Sequence, residues 1–249
     1  MGWLHRVQSE CYRVEAEVTV RNIVDTNRFV RQLISETTNR RHRFLLKAYD
    51  RHRSLEMAGR YQELFAPDMM VPEPVYHLAA HGVQVRLEGR DMVESMYRSW
   101  AESNETVFYV EKETIAVSDD FVSSVSLGYH QISGRSLRET KIVSYLPKFA
   151  SRYLLNVALN TRRTGNGDAG PMYLYKNTFY MIWRYDDLGR LIGESVWEPE
   201  PGAAEILKLD RREVVTVVEA AQLLAPLIEP LPPYDDFVRE HSTSFARVV

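Results

Sequence analysis

The segment Tyr-His-Leu-Ala-Ala-His-Gly at 76–82 sets two imidazoles, His77 and His81, four positions apart. Four positions are about one helical turn, so a short helical turn would place both rings on one face, as a pair of metal ligands requires. Two imidazoles at the mouth of an apolar pocket would equally suit proton transfer without a metal, because histidine titrates near neutrality. Two surface histidines with no chemical task are the third interpretation.

A metal site at this pair would need a third ligand, for which His130, Asp68 and Glu198 carry suitable atoms. The chain has no HExxH or similar signature, and its single cysteine, Cys11, excludes a cysteine-based site. We therefore expect no metal and no cofactor. Proton transfer is the preferred chemical role, with His81 a better candidate than His77, and the surface interpretation stays open.

The position of His130 depends on strand alternation. Successive side chains point to opposite faces of a strand, so Phe121, Val125 and Tyr129 share one face while Ser124 and His130 share the other. The large apolar face is expected to meet the helices. This predicts that His130 lies on the convex side of the sheet, in a structural or interface role.

The composition is that of an ordinary globular protein. The chain has 249 residues, of which 45% are hydrophobic and 26% charged, with a net charge of −3. That charge gives no electrostatic case for nucleic acid, and the basic run at 39–53 is typical of a solvated helix face. The sequence contains no run of about 18 apolar residues, so it predicts no membrane span, and no signal peptide is evident. We expect a cytoplasmic protein without nucleic-acid or membrane partners.

The hydrophobic pattern changes from helical to extended along the chain. The segments 40–66 and 90–103 have a helical period, and a short strand at 83–89 lies between them. Strand-like segments then follow at 106–118, 120–133, 138–146 and 174–186, and a hairpin at Asp-Leu-Gly-Arg leads into 191–199. The insertion 147–172 has the composition of a flexible loop and is a candidate lid. A final helix is predicted at 203–225, before a Pro-rich tail.

Three motifs carry a family resemblance: LFAPDMMV at 64–71, LEGRDMVESMYRSW at 87–100 and FYMIWRYDDLGRLIGESVWE at 179–198. In this order the chain resembles, over about residues 42–200, the SnoaL-like group of the nuclear transport factor 2-like superfamily. The resemblance implies an α+β fold in which a curved antiparallel sheet wraps around N-terminal helices to form a cone with an apolar cavity. The predicted organisation is a helical extension at 1–38, the cone domain at 39–202 and a C-terminal helix with a Pro-rich arm at 203–249.

VSLGYHQIS and the two strands before it are similar to scytalone dehydratase in part. The positions that correspond to that enzyme's catalytic histidines are near Val107 and at Ser136, and neither is histidine. Its active site is therefore not transferred.

The resemblance implies a site built from a few polar groups in an aromatic cavity. Glu198 matches the place where SnoaL-like cyclases carry an acidic catalytic residue, with Glu194 and Glu200 as competitors, and Asp68 is a further acidic candidate. The expected substrate-binding aromatics are Tyr97, Trp100, Tyr129, Tyr180 and Trp197.

We expect a cofactor-independent lyase or isomerase, of the dehydratase, cyclase or epoxide-opening type. Its substrate would be a small hydrophobic oxygenated molecule such as a terpenoid or polyketide. His81 with His77 would exchange protons and Glu198 would be the partner acid or base. The alternative is a non-catalytic ligand-binding or assembly module of the same fold. Pairing through the sheet predicts a homodimer.

Overall fold

The computed structural model describes residues 22–138 and 170–239. Five α-helices and seven strands lie wholly within these residues, and residues 134–138 are also helical. The helices are α1 (Arg28–Glu36), α2 (Arg40–Met57), α3 (Arg90–Glu102), α4 (Val217–Leu224) and α5 (Tyr234–Arg239). The strands are β1 (Val75–Ala80), β2 (Val83–Glu88), β3 (Phe108–Val117), β4 (Phe121–Ser133), β5 (Met172–Tyr185), β6 (Leu191–Trp197) and β7 (Glu205–Lys208).

The strands form one sheet in the order β2-β1-β6-β5-β4-β3. All pairs are antiparallel except β1 with β6, which run parallel. The long strand β5 is shared: β6 pairs with its second half and β7 with its first. Bulges interrupt β3 at Glu111 and β6 at Ile192, and bulges bend a strand.

Helices α2 and α3 cover one face of this sheet and build the main core with it. Fully buried side chains from the helices, such as Tyr49 and Tyr97, pack there with Val122 and Trp183 of the sheet. Removing these large side chains from water is the main force that holds the helices on the sheet. The expected α+β fold, a curved antiparallel sheet around N-terminal helices, is confirmed.

Helix α2 is shorter than the sequence predicts. It ends at Met57, and a 3-10 turn at Tyr61–Phe65 replaces the rest of the predicted helix. Gly59 lies between the two at a φ of +65°, where a Cβ would meet the side chain of Val217. The chain therefore turns at this glycine, well before Pro67.

The C-terminal prediction was wrong in part. Instead of one helix over 203–225 there are a strand, β7, and a shorter helix, α4, which begins at a capping box formed by Thr216 and Glu219. The Pro-rich tail also contains α5, which packs on α2 through an edge-to-face contact of 5.0 Å between Phe44 and Tyr234. Tertiary packing supports this helix despite the prolines before it.

Two predictions fall outside the described residues: the strand at 138–146, beyond its first residue, and the lid in 147–172, up to position 169. Of the strands predicted elsewhere, those at 83–89, 106–118, 120–133 and 174–186 are present with small shifts of their ends. No helix within 22–138 and 170–239 is long and apolar enough to span a membrane.

Candidate functional site

A cavity of about 210 Å³ lies between the concave face of the sheet and helices α2 and α3. Its wall is predominantly apolar, as in most small-molecule sites. That wall includes Leu87, Met96, Trp100, Phe108, Phe179 and Trp183. Six titratable side chains also reach it: Arg53, Glu56, His81, Glu105, His130 and Glu194. Apolar surroundings with a few convergent polar groups are the arrangement expected of a ligand site.

His81 reaches the cavity from a tight β-hairpin. Residues 81 and 82 connect β1 to β2 with φ angles of 52° at His81 and 72° at Gly82, as a two-residue hairpin turn requires. A positive φ is uncommon for a residue that is not glycine, so the turn holds His81 in a strained conformation. The ring Nε2 of His81 is buried and has no hydrogen-bond partner among the described residues.

The four-residue spacing of the histidines is therefore not a helical turn. His77 lies in the middle of β1, paired with Arg86 of β2, and its side chain is exposed. The strand and the hairpin separate the two imidazoles, and only His81 lines the cavity. The idea that a short turn would place both on one face was wrong.

The partner imidazole of His81 is His130 on β4. Their ring centroids are 5.1 Å apart, and His130 stacks on Phe108 at 5.3 Å with an interplanar angle of 17°. Phe179 contacts both imidazoles, at 5.4 Å from His81 and 4.6 Å from His130. A Cβ at Gly128 would lie 3.3 Å from both His130 Nε2 and Phe179, so the glycine leaves room for this cluster.

The predicted orientation of β4 was wrong. Val122, Ser124 and Ser126 are buried toward the helices, while Phe121 and Val125 are 39% and 43% exposed on the convex face. Small side chains are needed on the inner face because large helix residues fill the space above it. For example, the Tyr49 hydroxyl lies 3.2 Å from the Ser124 hydroxyl. His130 therefore lines the cavity and does not lie on the convex side.

Burial keeps both imidazoles uncharged at neutral pH. It lowers the pKa of His81 to about 4. It also lowers the pKa of His130 well below its usual value, and the nearby His81 and Arg53 add to this effect. Both rings are consequently in the form that accepts a proton.

Arg53 belongs to helix α2 and is almost fully buried at the cavity. Its Nη1 donates to both carboxylate oxygens of Glu113, at 2.9 and 3.1 Å, and to the Tyr49 hydroxyl at 3.1 Å. Its guanidinium lies over the rings of Tyr49 and Phe108, at 5.0 and 5.5 Å. The Nη2 group is buried and has no hydrogen-bond partner among the described residues.

Three glutamates, Glu56, Glu105 and Glu194, also line the cavity, and burial shifts the pKa of two of them. Burial raises the pKa of Glu56 to about 8, with Arg53 opposing the shift. Burial also raises the pKa of Glu194 well above its usual value; the nearby Glu56 raises it further, and Arg53 again opposes. Both carboxyls are predominantly protonated at neutral pH, so they are available as hydrogen-bond or proton donors.

The imidazoles and the carboxyls lie toward different ends of the cavity. His130 pairs with Tyr175 in the first half of β5, whereas Glu194 pairs with Trp183 near its other end. The positive charge of Arg53 lowers the pKa of both His130 and Glu194, so the guanidinium acts on both groups.

A chain of buried hydrogen bonds runs behind the cavity wall. The His52 Nε2 lies 2.9 Å from the Tyr97 hydroxyl, which donates to the Tyr76 hydroxyl at 3.2 Å. The His52 ring also packs edge-to-face on Trp183 at 4.5 Å. This network fixes the aromatic wall at the carboxyl end of the cavity.

Glu198 and Asp68, the acidic residues predicted to be catalytic, lie outside the cavity wall, whereas Glu194, the predicted competitor of Glu198, lines it. Glu198 is buried, accepting hydrogen bonds from the His81 backbone N–H at 3.0 Å and from the Tyr175 hydroxyl at 2.9 Å. Asp68 is exposed beyond the 3-10 turn that follows α2. Glu198 is thus joined to the site through the turn that holds His81, while Asp68 is remote from it.

Of the predicted aromatic residues, Trp100 lines the cavity. Tyr97 is buried behind the wall, and Tyr129 donates to Glu111 in a separate core cluster. Tyr180 and Trp197 form an edge-to-face pair with 5.7 Å between centroids, and neither contributes to the cavity lining.

Two charged residues of the lining, Arg53 and Glu56, were missed by sequence reasoning, whereas Glu194 was predicted as a competitor of Glu198. Tyr49, His52, Arg53 and Glu56 follow one another at helical spacing and form one face of α2, a signal that the sequence carries. The basic run was predicted to be a solvated face, yet His52 and Arg53 are each 2% exposed.

Within the part of the chain that the structure describes, no three His, Cys, Asp or Glu side chains come together as a metal site. The candidate third ligands do not assemble around His77 and His81.

The chain matches no family model and no curated protein. Similar solved structures include an NTF2-like protein from Anabaena variabilis, at 9% identity and a TM-score of 0.40 over 65% of this chain and 91% of that one. A CaMKII hub from S. rosetta matches at 12% identity and a TM-score of 0.36, over 63% of this chain and 95% of that one. The Kfla4162 protein from Kribbella flavida matches at 12% identity and a TM-score of 0.30, over 71% of this chain and 97% of that one. Likenesses this distant concern the fold and carry nothing about activity.

Proposed function

We propose that this protein is a cofactor-independent acid–base lyase or isomerase that acts on a small hydrophobic oxygenated molecule. The observation that carries the proposal is the imidazole pair His81 and His130 in the wall of an apolar cavity, with a buried and unpartnered Nε2 on His81. A buried polar atom without a partner is costly unless a ligand satisfies it.

The protonation states support acid–base chemistry. At neutral pH the imidazoles are uncharged bases, while Glu56 and Glu194 are predominantly uncharged acids. Bases and acids in opposite protonation states within one water-poor cavity can remove one proton and supply another.

In a dehydration, an imidazole accepts the proton of a carbon–hydrogen bond, and the electron pair of that bond forms the new double bond. The carbon–oxygen bond breaks, and the leaving oxygen takes the proton and departs as water. Because burial lowers the pKa of His81 to about 4, its conjugate acid is a strong proton donor for that oxygen. In an isomerisation the same proton would return to a different carbon.

The cavity restricts the substrate to a small molecule. Its volume of about 210 Å³ exceeds that of an engineered cavity of about 150 Å³ that binds benzene. The aromatic and aliphatic wall favours an apolar skeleton, and the polar groups at its two ends suit one or two oxygen atoms.

The second candidate function is a non-catalytic module that binds a ligand in the same cavity or assembles through the sheet. The exposed Phe121 and Val125 on the convex face favour this candidate, because clustered exposed apolar side chains often mark interaction surfaces. A homodimer through that face would belong to the same proposal.

The test is turnover of a panel of oxygenated monoterpenes, terpene epoxides and β-hydroxy ketones, followed by mass spectrometry. Wild-type protein and His77→Ala, which changes an exposed histidine, are expected to turn over the same member of the panel. His81→Ala and His130→Ala are each expected to lose about a hundredfold or more in rate. Wild-type rates in both cavity variants would overturn the role of the imidazole pair, and binding of panel members without turnover would favour the binding module instead.

A further inference from the structure

Arg53 is a buried cation in which one of the two terminal nitrogens of the guanidinium makes no hydrogen bond. The residue is 2% exposed, and its Nη1 already serves Glu113 and Tyr49. The Nη2 group has no partner among the described residues, although the residue lines the cavity. A charged donor left unpaired in a low-dielectric site is strongly unfavourable, so a ligand atom is the natural partner.

The charges around Arg53 decide which kind of ligand atom this is. The buried ion pair with Glu113 already neutralises the guanidinium. The three other acidic residues of the cavity wall, Glu56, Glu105 and Glu194, supply no positive charge, so a ligand carboxylate or phosphate would bring a negative charge without a compensating cation. A neutral oxygen acceptor meets no such penalty and still receives a charge-assisted hydrogen bond.

We propose that Arg53 Nη2 binds the carbonyl oxygen of a neutral ketone or aldehyde, and that the substrate class of the cavity is therefore enolisable carbonyl compounds. This inference rests on the proposed function, since it names the substrate of the same site. When an imidazole removes the proton next to the carbonyl, the C–H electron pair forms a carbon–carbon double bond. The carbonyl π electrons then move to the oxygen, where the negative charge faces the guanidinium.

A fixed cation at that oxygen stabilises the transition state more than the ground state, because the charge is present only in the former. The flanking rings of Tyr49 and Phe108 hold the guanidinium plane, so little reorganisation is needed when the charge develops.

Three bicyclic probes of nearly equal size test this assignment by calorimetric titration of the full chain: 2-indanone, indane and indane-2-carboxylate. The ketone is expected to bind about tenfold or more tightly than either of the others, as a hydrogen bond to a charged group allows. Equal affinity for indane, or tighter binding of the carboxylate, would overturn the inference.

The variant that removes both partners, Arg53→Gln with Glu113→Gln, avoids leaving one buried charge unpaired. It is expected to lose the ketone preference, while the surface pair variant Arg60→Gln with Glu63→Gln keeps it. Because the buried double variant risks misfolding, Arg53→Lys provides a second measurement that retains the charge opposite Glu113. The Arg53→Lys variant is expected to lose the ketone preference as well, because the single ammonium group of lysine does not reproduce the position of Nη2. An unchanged preference in this variant would count against the role of Nη2.

Infrared spectroscopy of bound 2-indanone needs no variant. The carbonyl stretch is expected at lower frequency than in an apolar solvent, and an unshifted band would overturn the inference.

Failure of this inference and failure of the proposed function give different results. Turnover that depends on His81, together with equal binding of 2-indanone and indane, removes only the role of Arg53. Ketone-selective binding that depends on Arg53, without any turnover or hydrogen exchange, removes only the catalytic proposal.

Discussion

The backbone N–H of His81 donates a 3.0 Å hydrogen bond to Oε1 of Glu198, the residue that follows the end of β6. The other carboxylate oxygen accepts a 2.9 Å hydrogen bond from Tyr175, and the Glu198 N–H donates to the carbonyl oxygen of Ala79. Glu198 therefore fixes the hairpin turn that presents the His81 ring to the cavity. The sequence predicted Glu198 as a catalytic acid or base, and in the structure its carboxylate accepts a hydrogen bond from the backbone of His81.

Glu198→Ala is expected to lower the free energy of unfolding by about 1–3 kcal/mol, because it leaves buried donors of His81 and Tyr175 unpaired. Glu198→Gln retains one acceptor oxygen and should recover part of the loss. Urea denaturation of the three proteins measures the difference. Equal stability of Glu198→Ala and wild type would show that these hydrogen bonds do not hold the turn.

Gly128→Ala is expected to displace His130 without unfolding the protein. The added Cβ would lie 3.3 Å from His130 Nε2 and from Phe179, so the rings must shift by a few tenths of an ångström. The loss of turnover or ligand affinity should exceed the loss of thermal stability. The matched control is Gly202→Ala, whose Cβ would meet nothing within 4 Å. If both alanine variants behave alike, the packing of His130 is not critical.

The parts of the fold with strong local signals were predicted from the sequence, and the site was predicted only in part. Helix α3 and strands β3 to β6 follow from periodicity because one face of each is apolar. The pattern predicted the strand β4 but assigned the wrong face of it to the helices. Serines and Gly128 face the helices because side chains from elsewhere in the chain decide how much room remains there. Arg53 and Glu56 were missed for a related reason: charged residues are rarely buried, and only the three-dimensional pairing of Arg53 with Glu113 makes its burial tolerable.

Glu56→Gln is expected to change how stability depends on pH. Burial raises the pKa of Glu56 from 4.5 to about 8, so the folded state retains a proton that the unfolded state releases. The stabilising contribution of this group is complete below about pH 4.5 and is lost as the pH rises through about 8. The variant cannot lose this proton, so its stability relative to wild type should increase over that range. Urea unfolding at a series of pH values provides the measurement, and parallel curves for the two proteins would refute the burial of a titrating carboxyl.

The central claim is that the imidazoles of His81 and His130 transfer protons to and from a ligand in the cavity. Hydrogen exchange in 2-indanone is its most direct measurement. The probe is incubated in D₂O with the protein, and loss of the signal of the hydrogens beside the carbonyl is followed by NMR. Wild-type protein and His77→Ala should accelerate this exchange above the buffer rate, and His81→Ala and His130→Ala should each reduce the acceleration by about a hundredfold or more. No acceleration by wild-type protein at concentrations where the ketone binds, or equal acceleration by all four proteins, would contradict the claim.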